Sequence, residues 1–140
     1  TTNLFRLRMK AAGICRCGNQ LKSETFCQDC LQKQHDAGLA LKLEVFTVYG
    51  GCKCSCVGCN VTQLAFLGLD HIHGFGKQHR KEIGRGRRFY LWLKKNHWPP
   101  GLRVMCHNCN LGRQINGGIC PHVTGDFPSH NELSGFLSGV

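Results

Sequence analysis

Short cysteine pairs constrain what this chain can fold into more than any other feature of its sequence. The chain has eleven cysteines among 140 residues, and eight of them form the pairs Cys15–Cys17, Cys27–Cys30, Cys56–Cys59 and Cys106–Cys109. Such spacings let two thiolates from one tight turn reach the same ion, and zinc accepts four sulfur ligands in a closed structural site. The odd number of cysteines and the lack of an apolar leader argue against a disulfide framework.

The pairs therefore predict two structural zinc sites. The predicted ligands of the first are Cys56, Cys59, Cys106 and Cys109, and those of the second are Cys15, Cys17, Cys27 and Cys30. Four further side chains, Cys52, Cys54, Cys120 and His122, form either a third zinc site or free thiols beside a histidine. Zinc would stabilise a core that is too small to bury enough apolar surface by itself.

Charge and hydropathy narrow the class of protein further. Lysine and arginine total 18 against 8 acidic residues, which gives a formal net charge of +10. No apolar run approaches the roughly 20 residues that a membrane-spanning helix requires. We therefore expect neither a membrane protein nor a secreted precursor, but a cytoplasmic protein. The sequence leaves the oligomeric state open, with a monomer favoured.

The pattern of apolar residues, glycines and prolines predicts a small α+β protein. We expect helices over 28–49, 89–95 and 108–115, strands over 64–69 and 102–105, a glycine-punctuated loop over 74–86, and a basic segment running into a cysteine turn over 2–19. This predicts an N-terminal zinc knuckle and helix over 1–49, a core over 50–122 and a tail over 123–140. The aromatic residues Phe89, Tyr90 and Trp92 are expected to pack in the core.

Two segments of the core carry a resemblance to a known family. They are Leu69-Asp70-His71-Ile72-His73-Gly74 and Met105-Cys106-His107-Asn108-Cys109-Asn110. An Asp-His pair at a strand end, with C-x-x-C before it and C-x-x-C-Asn after it, is similar to the HNH endonucleases of the ββα-metal superfamily. The small phage and intron-encoded type is the most similar, and the resemblance covers residues 49–122.

The resemblance implies a site that hydrolyses phosphodiester bonds in double-stranded DNA with one divalent ion. His71 matches the general base, while Asp70 and Asn110 match the ligands of a Mg²⁺ or Mn²⁺ ion. The implied products carry 3′-hydroxyl and 5′-phosphate ends, and a single site of this kind nicks one strand. Because neighbouring residues of a strand point to opposite faces, we expect the strand to end or twist between Asp70 and His71.

The middle Asn of the family motif is replaced by Gly101, and Asn96 is a nearby substitute for bracing the loop. His73 and His79 either support the site or are solvated loop histidines.

The predicted phosphate contacts are Lys77, Arg80, Lys81, Arg85, Arg87 and Arg88. Together they give a charged segment whose affinity for DNA should fall steeply with salt.

Two alternatives to an enzyme remain at this point. A non-catalytic, zinc-containing DNA- or RNA-binding protein would have the same cysteines and the same basic segment. A protein-interaction adaptor built on zinc knuckles would have the cysteines without a need for the basic segment. The remaining histidines, His35, His97, His107 and His130, are expected to be structural or exposed.

Overall fold

The protein is a mixed helical and β-stranded molecule, described here from a computed structural model that covers residues 2–124, with side chains over 3–123. The elements are α1 (Thr2–Ala11), α2 (Gln28–Val48), a 3₁₀ turn (Leu64–Phe66), β1 (Leu67–His71), α3 (Gly76–Glu82), α4 (Arg87–Lys95), β2 (Leu102–Cys106), α5 (His107–Ile115) and α6 (Pro121–Thr124). The α+β class is confirmed. None of the described helices is long and apolar enough to cross a membrane.

The described chain falls into two compact units that divide between Lys42 and Leu43, within α2 rather than at its end. The predicted tail, residues 123–140, lies outside the described residues apart from its first two positions.

The first unit begins with a helix where the sequence predicted only a basic segment. Residues 2–11 contain no glycine or proline and are rich in helix-forming residues, so α1 forms there and ends at Ala11, two residues before Gly13. Gly13 has a φ of 68°, its backbone N–H donates to the Lys10 carbonyl, and that of Ile14 donates to the Met9 carbonyl. This is a Schellman motif, which needs a left-handed residue at the helix end.

The sheet of the second unit pairs β1 with β2 in antiparallel register. Leu67 lies opposite Cys106, Asp70 opposite Arg103, and His71 opposite Leu102. The predicted strand over 64–69 is displaced toward the C-terminus, because residues 64–66 have no partner beyond the end of β2 and form the 3₁₀ turn instead. Helix α5 follows β2 with no intervening loop, so the order of these elements is strand, strand, helix.

Helix α4 supplies much of the apolar core of the second unit. Leu93 is completely buried, and so is Leu67 on β1. The end of α2 packs here as well, since the Phe46 ring contacts the Tyr90 ring edge-on at 6.4 Å between centroids. Tyr49 donates a hydrogen bond of 2.7 Å to the Pro99 carbonyl. These contacts hold the loop between α4 and β2 against the second helix.

The predicted loop over 74–86 is wrong, since α3 occupies Gly76–Glu82. Its glycines lie mainly at its ends, where Gly74, Gly84 and Gly86 have positive φ angles. The residues between Gly76 and Ile83 include neither glycine nor proline, and they form two turns of helix. Lys77, Arg80 and Lys81 therefore project from a helix, whereas Arg85 lies between α3 and α4.

Replacing Leu93 with Ala should lower the free energy of unfolding by about 2–5 kcal/mol, because it removes a fully buried side chain and leaves a cavity. Leu91→Ala is the matched control on the same helix, since Leu91 is 41% exposed, and it should change stability by no more than about 0.5 kcal/mol. Urea unfolding at saturating zinc measures both. Equal losses would mean that the buried face of α4 is assigned incorrectly.

Candidate functional site

Three clusters of cysteine and histidine side chains are able to hold zinc ions. The first is formed by Cys15, Cys17, Cys27 and Cys30, whose sulfur atoms all lie within 4.8 Å of one another. The spacing of the cysteines predicts the same four ligands for this site. Hydrogen bonds from the backbone of Cys17 and Cys27 lower the pKa of the Cys15 thiol to about 6. Hydrogen bonds among the thiols raise the pKa of Cys30 to about 12. Four thiolates at this spacing therefore require a cation.

The second and third clusters use the remaining cysteines differently from the prediction. Cys54, not Cys56, completes the second cluster with Cys59, Cys106 and Cys109. The backbone explains this exchange, because the N–H of Ser55 donates to the Val104 carbonyl and aligns the segment with β2. Cys54 Sγ then accepts a hydrogen bond of 3.2 Å from the backbone N–H of Cys106.

The third cluster is formed by Cys56, Cys109, Cys120 and His122. The predicted third site of Cys52, Cys54, Cys120 and His122 is therefore wrong in two of its four members. Within the described residues, Cys52 belongs to none of the three clusters. Burial raises the pKa of Cys109, as do its hydrogen bonds with neighbouring thiols, so its ionisation at this position depends on a cation.

Asp70 is a buried carboxylate held by two guanidinium groups. It is 5% exposed, its Oδ2 accepts a hydrogen bond of 3.0 Å from Arg103 Nε, and its Oδ1 accepts one of 2.9 Å from Arg113 Nη2. Arg103 lies directly across the sheet, while Arg113 comes from α5. The ion pairs therefore connect both strands to the helix that follows them.

The sequence does not identify Arg113 as a site residue, although the structure places it beside Asp70. Besides Asp70, it donates to the backbone carbonyls of His71, at 3.1 Å, and Ile72, at 3.4 Å. Its Nε is a buried donor that has no partner among the described residues. A signal was present in the sequence, because Arg113 follows Asn110 by three residues and so shares its face of the helix.

His71 lies at the end of β1 beside α3 and α4. Its Nε2 is 2.9 Å from Nδ1 of His79, and its ring stacks on Phe89 at 5.6 Å between centroids. Burial lowers the pKa of His71 from its usual value, His79 and Arg80 lower it further, and Asp70 opposes them. The ring also packs closely against Gly76, where an added Cβ would lie 3.0 Å from Nδ1.

β1 runs through Asp70 and ends at His71. Asp70 contacts α5 while His71 contacts α3 and α4, as expected for neighbours in a strand. Both residues nevertheless line one cavity of about 220 Å³, together with Lys77, Arg80, Arg113 and Gln114. A second cavity of about 420 Å³ lies beside it, lined by His71, His79, Arg80, Arg85, Phe89 and Tyr90, among others.

The six basic residues predicted to contact phosphate fall into two groups, which differ in whether they line a cavity beside His71. Lys77, Arg80 and Arg85 line a cavity that His71 also lines. Lys81, Arg87 and Arg88 are exposed and line neither of these two cavities. His73 is exposed, whereas His79 contacts His71 directly.

The remaining predicted site residues are two asparagines and a glycine. Asn110 lies on α5 and is not among the residues that line either cavity; its Oδ1 accepts a hydrogen bond of 2.9 Å from Gln114, which lines the smaller one. Asn96 donates to the Trp92 carbonyl and so caps α4. The chain after His71 is held instead by Gly101, whose carbonyl accepts a hydrogen bond of 3.0 Å from the Ile72 N–H.

Comparison with known proteins finds no match to a family model, a curated protein or a solved structure.

Asp70→Asn should lower the free energy of unfolding by about 3–5 kcal/mol, because it leaves two guanidinium groups without their buried counter-charge. Glu44→Gln is the matched control, since Glu44 pairs with Lys94 at 2.8 Å but both side chains are more than 40% exposed. Glu44→Gln should lower the free energy of unfolding by less than about 1 kcal/mol. Urea unfolding at saturating zinc compares the two, and a smaller loss for Asp70→Asn would contradict a structural role for these pairs.

Proposed function

We propose that this chain is a metal-dependent endonuclease of the HNH type that hydrolyses phosphodiester bonds in double-stranded DNA. One observation carries the proposal: the imidazole of His71 and the buried carboxylate of Asp70 line one cavity whose other walls carry Lys77, Arg80 and Arg113. The strand–strand–helix order of β1, β2 and α5 agrees with the ββα core that the resemblance implies.

His71 acts as the general base in this proposal. A lowered pKa keeps the imidazole neutral near physiological pH, which is the form that can accept a proton. When Nε2 carries the ring proton and donates it to His79 Nδ1, the lone pair of Nδ1 is available to take a proton from water. His79 then fixes the tautomer and the orientation of the base, and it is a positioning residue.

The cavity offers one hard oxygen donor for a magnesium ion, the carboxylate of Asp70, whereas Asn110 is not among the residues that line it. A carboxylate oxygen of Asp70 and the amide oxygen of Asn110 are hard ligands of the kind that Mg²⁺ prefers, and Mg²⁺ usually completes its shell with waters and substrate phosphates. Each Asp70 oxygen uses one lone pair for an arginine and keeps another. When bound, the ion would stabilise the negative charge that develops on the phosphate and the leaving oxygen.

The surrounding cations favour an anionic substrate. Three charged groups, Lys77, Arg80 and Arg113, line the same cavity. Arg85, Arg87 and Arg88 extend the positive charge along the chain toward α4. Such contacts position a duplex without reading its sequence. With one such site in each chain, cleavage yields nicks with 3′-hydroxyl and 5′-phosphate ends.

A second candidate is a DNA- or RNA-binding protein without catalytic activity. The double ion pair of Asp70 favours it, because two guanidinium groups already neutralise the carboxylate that would otherwise hold an ion. The same basic cavity would then bind a phosphate without cleaving it. Plasmid nicking with Mg²⁺ present and with Mg²⁺ left out separates the two candidates.

His71→Ala should lower the rate of plasmid nicking by about 10²–10⁴-fold, which is the usual contribution of a positioned general base. Affinity for the same DNA should change little, because the cations are untouched. His35→Ala, which removes an exposed histidine on α2, is the matched control and should cleave at the wild-type rate.

Full activity in His71→Ala would remove His71 from the mechanism. Binding without nicking in the wild-type protein, at any Mg²⁺ concentration, would favour the non-catalytic candidate. The zinc content of each variant, measured on the same preparation, shows whether a loss of cleavage reflects loss of the fold.

The pH dependence of cleavage should report the same residue. Protonation inactivates a general base, so the rate should fall as the pH drops through the pKa of His71. That pKa lies below 6.5, the ordinary pKa of a histidine. His79→Gln keeps a hydrogen-bond acceptor but removes the ionisable ring that lowers the pKa of His71, so the fall in rate at acidic pH should move to higher pH. His35→Gln should leave the pH at which the rate falls unchanged. If His79→Gln also leaves that pH unchanged, the coupling of the His71 and His79 rings is contradicted.

A further inference from the structure

Two of the three metal-binding clusters share a ligand. Cys109 lies within 4.8 Å of Cys54, Cys59 and Cys106 in one cluster, and within the same distance of Cys56, Cys120 and His122 in the other. The two clusters together contain seven side chains. Two closed, four-coordinate zinc sites need eight ligand positions, so seven side chains suffice if one of them is counted twice.

We propose that the second unit holds a binuclear zinc centre in which the thiolate of Cys109 bridges the two ions. Six thiolates and one neutral imidazole would surround two divalent ions. The remaining negative charge is reduced by backbone donors, since Cys106 N–H donates to Cys54 Sγ at 3.2 Å and Cys109 N–H donates to Cys106 Sγ at 3.3 Å.

The distances within the centre agree with tetrahedral zinc. Zn–S bonds of about 2.3 Å and Zn–N bonds of about 2.0 Å place two sulfurs about 3.8 Å apart, and a sulfur and a nitrogen about 3.5 Å apart. Cys59 Sγ lies 3.7 Å from Cys106 Sγ. Nδ1 of His122 lies 3.3 Å from Cys109 Sγ, 3.5 Å from Cys120 Sγ and 3.8 Å from Cys56 Sγ.

Two glycines allow the Cys120–His122 segment to approach the rest of the centre. A Cβ added at Gly58, inside the Cys56–Cys59 turn, would lie 2.8 Å from the His122 Cβ. A Cβ added at Gly112, on α5, would lie 3.1 Å from the Pro121 ring. The close packing on both sides of this segment is therefore what brings the histidine to the shared thiolate.

The second ion would attach the segment after α5 to the start of α5 itself. Asn110 directly follows the bridging cysteine, so the centre fixes the first turn of the helix that carries both Asn110 and Arg113. This inference does not rest on the proposed function, since it concerns metal content and geometry alone.

Metal analysis and X-ray absorption of the full chain test the proposal. The protein should contain three zinc ions, one in the first unit and two in the second. The extended fine structure above the zinc absorption edge should show a zinc neighbour about 3.8 Å away. This is the distance expected when two Zn–S bonds of about 2.3 Å meet at one tetrahedral sulfur. Two ions per chain, or three ions with no zinc neighbour within about 4.6 Å, would overturn the bridge.

Single variants separate the two ions. His122→Ala removes an exposed ligand of one ion only, so it should retain two zinc ions per chain and lose the zinc neighbour. Cys109→Ala should lose both ions of the second unit, leaving one. Cys52→Ala is the matched cysteine control and should keep all three. A zinc neighbour that persists in His122→Ala, or a second unit that keeps an ion in Cys109→Ala, would contradict sharing of the thiolate.

Discussion

The arrangement of the second unit depends on the thiolates at the junction between β2 and α5. Cys106 is the last residue of the strand and Cys109 lies in the first turn of the helix, with no loop between the two elements. Cys106 Sγ caps that helix by accepting the Cys109 N–H. Because a cluster of thiolates without a cation is repulsive, metal binding and the geometry of this junction are coupled. The orientation of α5 follows from the junction, and so do the positions of Asn110 and Arg113.

A buried carboxylate between two arginines is the second constraint on the site. Asp70 joins Arg103 on the neighbouring strand to Arg113 on α5, and Arg113 also holds the carbonyls of His71 and Ile72. This network orients the backbone on which the proposed general base is mounted. It also leaves a net positive charge in the cavity, which favours an anionic ligand such as phosphate whether or not the bond is then cleaved. The two candidate functions therefore use one binding surface and differ in chemistry alone.

Local sequence predicted the elements that glycine and proline delimit. The helices over 28–49, 89–95 and 108–115 and the strand over 102–105 lie within two residues of the observed bounds. The predicted loop over 74–86 was wrong and α1 was missed, because charge and glycine content were read as signs of irregular structure, whereas the predicted cysteine turn after α1 is present. Gly13, with a positive φ, follows the end of α1, and Gly74 and Gly84 flank α3 on either side. The basic residues of both helices are compatible with an exposed face.

By itself the sequence determined that cysteine pairs would converge into clusters able to hold metal, that a basic segment would lie between Asp70 and Asn110, and which side chains are chemically able to act. Only the tertiary structure decided which thiol joins which cluster, because Cys54 and Cys56 are two residues apart and are distinguished by the alignment of Ser55 with β2, which overrides the C-x-x-C spacing. It also decided that Asp70 is paired with two arginines, since those contacts join residues 33 and 43 positions apart in the chain. Spacing describes what a short turn can reach, whereas pairing across a sheet and onto a helix depends on how distant segments pack.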